Sequence, residues 1–296
     1  MKGSASIGRK EATDAALMDG AAQFSFRSER GLLNARDLGN AIIGLLVVIL
    51  LWWGVAELMM FLRGVAFPTP PETLIALWEA LMGADINGES IFAHTSASLG
   101  RWGQGYFIAM IIGLTLGMAF GTLPRLYDVG MIPVYVFQMI PGLAWIPIAM
   151  LIFGLGETAT VFIIAMTAIP PLVINTAGGI REVPTVFTRV ARMSGKDDSA
   201  MFFRVLLPAA SLSIINGMRI GLANGWRVLI AAEMIVGVAL GLGFSIYMSR
   251  YDLDFTSAFV CIVVICIIGL AIEKLLFVSM ENRVRHRLGL DREDLM

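Results

Sequence analysis

The chain has 296 residues, 57% of them hydrophobic and 15% charged, with a formal net charge of −1. That balance excludes an ordinary soluble domain, because one core of this length cannot bury so much apolar surface; a lipid bilayer is the solvent it fits. No basic block interleaved with aromatics points to nucleic acid, and the placement of charge says more about partners than its near-zero sum.

A helix crossing the hydrocarbon core needs roughly 20 mostly apolar residues, and six runs of the sequence qualify. Residues 1–39 are polar and lack the apolar core of a signal peptide, so the first run, 40–62, is read as a retained anchor with Glu57 near its end. Residues 63–101 form the largest loop, expected outside; within it Pro71 opens a short amphipathic helix through Trp78, suited to the outer membrane surface. The second run, 102–123, carries no charge between Arg101 and Arg125. The third lies within 129–156, where Pro133, Pro141 and Pro147 are expected to bend or interrupt it. Only Gly154-Leu155-Gly156-Glu157 separates it from the fourth, 158–179, which contains Pro170 and Pro171. The fifth run is 209–238 and the sixth 258–279, and a basic tail, 281–296, follows.

Lys and Arg in the flanking segments set orientation. Lys2, Arg9, Lys10, Arg27, Arg30 and Arg36 precede the first run, Arg181, Arg189, Arg192, Lys196 and Arg204 lie between the fourth and fifth, and Arg283, Arg285, Arg287 and Arg292 follow the sixth. The other side holds Arg63, Arg101 and Arg250. The expected architecture is an all-α integral membrane protein with about six transmembrane helices in a domain over 40–280 and both termini in the cytoplasm.

Gly113, Gly117 and Gly121 share one face of the second helix, and Gly217, Gly221 and Gly225 one face of the fifth; small residues in such rows let helices approach closely in lipid. Cys261 and Cys266, five positions apart, point to different faces and read as apolar packing residues. The 18 methionines read likewise, and His94 and His286 lie in separate polar segments without metal-ligand spacing. No cofactor is implied in this chain.

The segment 180–208 is the richest in information. Thr185–Met193 reads as a short amphipathic helix broken by Ser194-Gly195. Asp197 or Asp198 can cap the next piece, roughly 199–207, which is expected to end at Pro208. Helix, glycine turn and helix make a compact knob; the alternative is an ordinary basic loop.

Here the sequence resembles the permeases of ABC importers. Gly195, Val205 and Leu207-Pro208 match the frame of their EAA loop; the Glu-Ala-Ala itself falls at Arg189-Val190-Ala191, where only Ala191 agrees. Phe67-Pro68-Thr69-Pro70, Ile140-Pro141-Gly142-Leu143-Ala144-Trp145-Ile146-Pro147, Phe153-Gly154-Leu155-Gly156-Glu157, Trp226 through Glu233 and Gly241-Leu242-Gly243 are similar to the nitrate/taurine/sulfonate branch. The resemblance covers residues 67–288. It implies a type I importer permease in a bacterial inner membrane. A second permease copy, cytoplasmic ABC ATPase subunits using ATP and Mg, and a periplasmic or lipid-anchored substrate-binding protein would be its partners. Arg189, Ala191, Gly195, Val205, Leu207 and Pro208 would then belong to the ATPase-coupling segment. The chain itself has no Gly-x-x-x-x-Gly-Lys-Ser/Thr motif, so the ATPase would be another subunit.

Charges at membrane depth are functional-site hypotheses. Arg219 and Arg227 could form a positive throat for an anionic solute, or Arg219 could snorkel to the interface and Arg227 could neutralise Glu233 or Glu57. Gln138 and Asn175 are further candidates for a polar path. An ion-coupled transporter working alone would use acidic relays, for which only Glu57, Glu157, Glu233 and Glu273 are available; an embedded enzyme would need a nucleophile–base pair or metal cluster, and none is visible.

Overall fold

A computed structural model describes residues 35–64 and 66–287; the polar segment through residue 34 and the last nine residues of the tail lie outside them. The chain divides into two units, Met1–Leu62 and Arg63–Met296. The first holds helix α1 (Ala35–Arg63), in which the Trp53 indole donates to Glu57 at 3.2 Å, so that carboxylate is met one turn back on its own helix.

The second unit opens with α2 (Pro70–Leu81), the helix anticipated from Pro71 through Trp78 and longer than that at both ends. Thr69 and Glu72 form its capping box, with Glu72 accepting from the Thr69 amide at 3.0 Å. A two-residue hairpin, β1 (Asp85–Ile86) and β2 (Glu89–Ser90), leads into α3 (Ile91–Thr122). This helix begins eleven residues before the expected start. Ser90 caps it by accepting from the Ala93 amide at 3.2 Å, so His94 and Arg101 are helical and buried, not part of a polar loop.

Next come α4 (Pro124–Met139), a 3-10 turn (Gly142–Trp145) and α5 (Ile146–Phe153). The bend between them is 100°, at the Ile140-Pro141 break that the sequence placed in the third span. Helix α6 (Glu157–Arg181) starts at the Glu157 boundary. It is the most buried long helix of the unit and keeps Pro170 and Pro171 inside.

The glycine rows fix how these helices run. An added Cβ at Gly105, Gly113, Gly117 or Gly121 of α3 would lie 2.6–2.8 Å from the Cβ of Ile164, Leu172, Thr176 or Ile180 of α6. The offset is the same at all four, so α3 and α6 are parallel. The chain between them must therefore return across the bundle, which makes the bent α4–α5 pair one crossing and supports the count of six. The second row, on α9 (Leu207–Ile235), runs the other way: Gly217 meets Asn175, Gly221 meets Leu172, Gly225 meets Ile164 and Gly179 meets Ser213. Helix α9 is thus antiparallel to α6, and both rows serve close packing.

After α6 the chain forms α7 (Thr185–Met193) and α8 (Asp198–Met201), with Asp197 capping the latter through the Ala200 amide at 3.3 Å. The second piece does not end at Pro208. A π turn (Phe202–Leu206) joins it to α9, and 198–235 is one helical run. In the wider turn the Leu207 amide bonds the Phe202 carbonyl, and this shift of the ladder accommodates the proline that an α turn would exclude. Helix α9 stops at Ile235, before the expected 238. A short α10 (Leu242–Ser249), unforeseen in the sequence, precedes α11 (Phe255–Ile272). A second π turn (Glu273–Val278) and α12 (Ser279–Arg287) carry this last helix beyond the anticipated 279. The unit's two ends are consequently distinct: one carries the hairpin and the loops at 154–156 and 236–241, the other α7 and α12.

Candidate functional site

Midway between the ends, the break at Ile140-Pro141 faces the middle of α6 and the last third of α9 across a cavity of about 420 Å³. Phe137, Ile140, Pro141, Leu143, Pro170, Val228 and Ala231 supply its apolar wall, and Gln138, Thr167, Asn224 and Arg227 its polar groups. Close packing places the 3-10 turn here, because an added Cβ at Gly142 would lie 2.7 Å from Val228 and 2.8 Å from the Thr167 hydroxyl. Arg227 donates Nε–H to the Ala223 carbonyl at 3.2 Å and Nη2–H to Asn224 Oδ1 at 2.8 Å. Among the described residues no carboxylate pairs with it. The guanidinium is exposed from a helix long and apolar enough to span a membrane. Facing lipid there would be costly, so this face of α9 belongs toward protein or water.

The same face continues along α9. Asn216 lies eleven positions before Arg227, which is three turns of helix and returns to nearly the same direction. It donates to Asn175 Oδ1 at 3.1 Å, while Asn175 donates to the Pro171 carbonyl of its own helix at 2.8 Å. Asn175 is therefore on the stripe but not in the cavity lining.

Glu233 and Arg219 are occupied elsewhere. The Glu233 carboxylate, 1% exposed, is ion-paired with Arg101. It also accepts from the Ser98 hydroxyl and from the Gly243 amide, each at 2.9 Å. Arg101 donates as well to the Leu240 carbonyl and stands 3.5 Å from Glu157. Around this pair the loop is fastened: the Leu242 amide donates to Ser98 at 2.9 Å, and the Gly241 amide to His94 Nδ1 at 3.2 Å. His94 Nε2 reaches the Ile86 carbonyl at 2.9 Å, so the Nε2–H tautomer satisfies both ring nitrogens. Asn87 reaches across to Ser245 Oγ at 2.7 Å, and the Gly156 amide donates to the Val236 carbonyl at 3.0 Å. Gly241 has no room for a side chain, since its Cβ would lie 2.7 Å from the Glu233 carboxylate, at a φ of +150°. Arg219 bridges Glu273 at 3.2 Å and Glu281 at 2.8 Å, tying α9 to the last helix.

The sequence reading leaves Arg101 outside the site because the expected helix begins one residue after it. His94, Ser98 and Arg101 recur at i, i+4 and i+7, the spacing of one helical face. That polar stripe was the available signal.

At the far end α7 stands out as a knob. Val186, Phe187, Val190 and Met193 form an exposed apolar stripe, with Arg189 and Arg192 exposed beside it. Ala191 is its one buried residue, which explains a small side chain at that position of the frame. Gly195 turns the chain at φ +71°, its amide bonding Arg192 and that of Lys196 bonding Ala191. Val205 and Leu207 are half-buried where the run enters α9, and Pro208 is exposed. Nearby, Arg181 lies 4.0 Å over the Tyr127 ring and joins the end of α6 to the start of α4.

The unit is thus a bundle of helices long and apolar enough to cross a membrane, with one bent pair and a protruding short helix. Residues 105–286 match the family model described as "Binding-protein-dependent transport system inner membrane component". The chain belongs to this family. It is 31% identical over 253 residues to the bicarbonate transport system permease protein of Synechocystis sp., covering 84% of this chain and 88% of that one. It is 30% identical over 237 residues to the nitrate import permease protein of the same organism (78% and 84% covered). With the taurine transport system permease protein of Escherichia coli it shares 31% over 232 residues (78% and 84%). The fold also matches a chain of the inward-facing MetNI methionine ABC transporter, with TM-score 0.56 and 22% identity over 64% of this chain and 93% of that one.

Proposed function

We propose that this permease carries a small anionic solute along the α6–α9 stripe, driven by ABC ATPase subunits that grip α7. The observation that carries the reading is mechanical. The docking knob, with its exposed apolar stripe, passes through a left-handed glycine turn into the single helical run 198–235, and that run bears Arg227 at the cavity. Displacing the knob displaces one wall of the path as a rigid element. Arg189, Ala191, Gly195, Val205, Leu207 and Pro208 form or support the coupling surface. Arg227 and Gln138 line the path, with Asn175 and Asn216 further along it; Glu233 and Arg219 hold the helices that frame it. The similarity to bicarbonate, nitrate and taurine permeases supports an anionic cargo.

The end carrying Arg125, Arg181, Arg189, Arg192, Lys196, Arg204, Arg283 and Arg285 is assigned to the cytoplasm, by the excess of Lys and Arg there. ATP and Mg are used in the partner ATPase. A substrate-binding protein delivers cargo at the hairpin end, and a second copy of this chain completes the permease in a bacterial inner membrane.

The test uses Gly195. Valine is strongly disfavoured at φ +71°, by roughly 1–2 kcal/mol, whereas asparagine tolerates the left-handed region. Among the described residues nothing lies within 4 Å of an added Cβ, so the effect is confined to the turn. In liposomes with the ATPase and binding-protein partners, Gly195→Val is expected to insert normally, hydrolyse ATP and lose most uptake. Gly195→Asn is expected to transport nearly as wild type. Equal uptake by both variants would overturn the coupling assignment, and uptake driven by an ion gradient without ATP would overturn the importer reading.

A further inference from the structure

We infer that the 420 Å³ cavity is a substrate-selecting subsite of the permease itself, which holds a small organic anion by its carboxylate or sulfonate group and rejects bare inorganic oxyanions. The inference rests on the reading of the α6–α9 stripe as the transport path.

The donor groups come first. Asn224 Oδ1 is committed to Arg227, which fixes the orientation of that amide and turns its Nδ2–H donors away from the guanidinium. Arg227, Asn224 and Gln138 line the same cavity, which gives it one positive charge, two side-chain amides and no carboxylate. Such an arrangement suits the planar or trigonal oxygens of an anionic head group. Arg227 is held by two bonds to its own helix, so less side-chain freedom is lost when an anion arrives.

The remainder of the wall decides the class of ligand. Phe137, Leu143, Val228 and Ala231 offer apolar surface that a nitrate or bicarbonate ion would leave wet or would have to desolvate against for no return. The volume lies within the roughly 300–1,000 Å³ typical of sites for small organic ligands. An anion with a ring or short alkyl body fills both parts: head group on Arg227, body on Phe137 and Val228.

The experiment is a titration of the full-length protein in lipid nanodiscs at constant ionic strength. The probes are benzoate, 1-butanesulfonate, nitrate, bicarbonate and the uncharged benzamide, followed by ligand-observed NMR. Benzoate and butanesulfonate are expected to bind saturably, and nitrate, bicarbonate and benzamide are not. Losing a charge-assisted hydrogen bond is expected to weaken benzoate roughly ten- to hundredfold in Arg227→Gln. Gln138→Leu, which touches no ion pair, is expected to weaken it less; it keeps the test open if Arg227→Gln fails to fold, a failure read from size-exclusion behaviour. Nitrate binding as well as benzoate, benzamide binding as well as benzoate, or benzoate affinity unchanged in both variants would each overturn the subsite. ATP-coupled uptake is measured separately on the reconstituted complex. Intact coupling without selective binding removes this inference alone, and uptake without ATP removes the importer reading instead.

Discussion

Arg101→Met is expected to be among the most destabilising single substitutions in this protein. It leaves the Glu233 carboxylate buried without its cation, a loss of about 3–5 kcal/mol when one partner of a buried pair is removed. The Leu240 carbonyl loses its donor in the same step. Glu233→Leu strands Arg101 and frees Ser98 and the Gly243 amide, so a comparable loss is expected. The double variant Arg101→Met/Glu233→Leu removes both charges and is expected to recover part of the stability, though not all, because those hydrogen bonds to the loop stay broken. Thermal unfolding of the four proteins in one detergent gives the cycle. Additive losses in the double variant would show that the two side chains do not act as a pair. Since the loop 236–241 hangs on this pair, proteolysis at 236–241 is expected to accelerate in both single variants.

The network also accounts for why dispersed pieces of sequence resemble one family together. Gly154-Leu155-Gly156-Glu157, the end of the Trp226–Glu233 stretch and Gly241-Leu242-Gly243 are far apart in the chain. In the fold they meet: Gly156 bonds Val236, Glu157 stands beside Arg101, and Gly241 and Gly243 wrap the Glu233 carboxylate. Gly243 is as constrained as Gly241, with an added Cβ 2.3 Å from the Ile230 carbonyl oxygen. A lone carboxylate in an apolar helix reads as functional; in the fold Glu233 is bonded to Arg101, Ser98 and the Gly243 amide near the end of α9. Of the four acidic residues available to a lone ion-coupled transporter, Glu233 is buried against Arg101, Glu157 stands exposed 3.5 Å from the same guanidinium, Glu273 pairs with Arg219, and Glu57 accepts from the Trp53 indole.

What the sequence revealed, and what it hid, follows from how each feature is encoded. The spans were legible because hydropathy is a property of composition along the chain. Thr185–Met193, the Gly195 turn and the Asp197 cap were legible because amphipathic spacing and capping are local. The extension of α3 back to Ile91 was hidden, since His94, Ser98 and Arg101 lower the hydropathy of a stretch that is nonetheless helical and buried. Their common face had meaning only once Glu233 was known to lie opposite. The π turns at 202–206 and 273–278 leave no compositional trace, because they are shifts in backbone pairing; Pro208 marked a disturbance without saying that the helix would continue through it. Prolines announced the break in the third span, but its 100° angle and the cavity it opens depend on Gly142 fitting against Val228 and Thr167.

Gly117→Leu tests the contact on which the whole bundle turns. An added Cβ at Gly117 lies 2.6 Å from Thr176 Cβ and 3.1 Å from the Val173 carbonyl oxygen, so α3 and α6 must move apart or α3 must rotate. Overpacking of this kind costs about 1–3 kcal/mol in a core that can relax, and more where backbone is the obstacle. Here it is, and separating the helices also loosens the neighbouring contacts at Gly113 and Gly121. Gly103→Leu, on the same helix with none of the described residues within 4 Å of its added Cβ, is expected to behave as wild type. Thr176→Gly should partly rescue Gly117→Leu by restoring space, and it sacrifices no side-chain hydrogen bond to the described residues, among which the buried Thr176 hydroxyl has no partner. Unfolding midpoints and the yield of monodisperse protein measure all four. A Gly117→Leu protein as stable as Gly103→Leu would mean that α3 and α6 are not in this register. The parallel pairing, and with it the assignment of the bent α4–α5 pair as a crossing, would then fall.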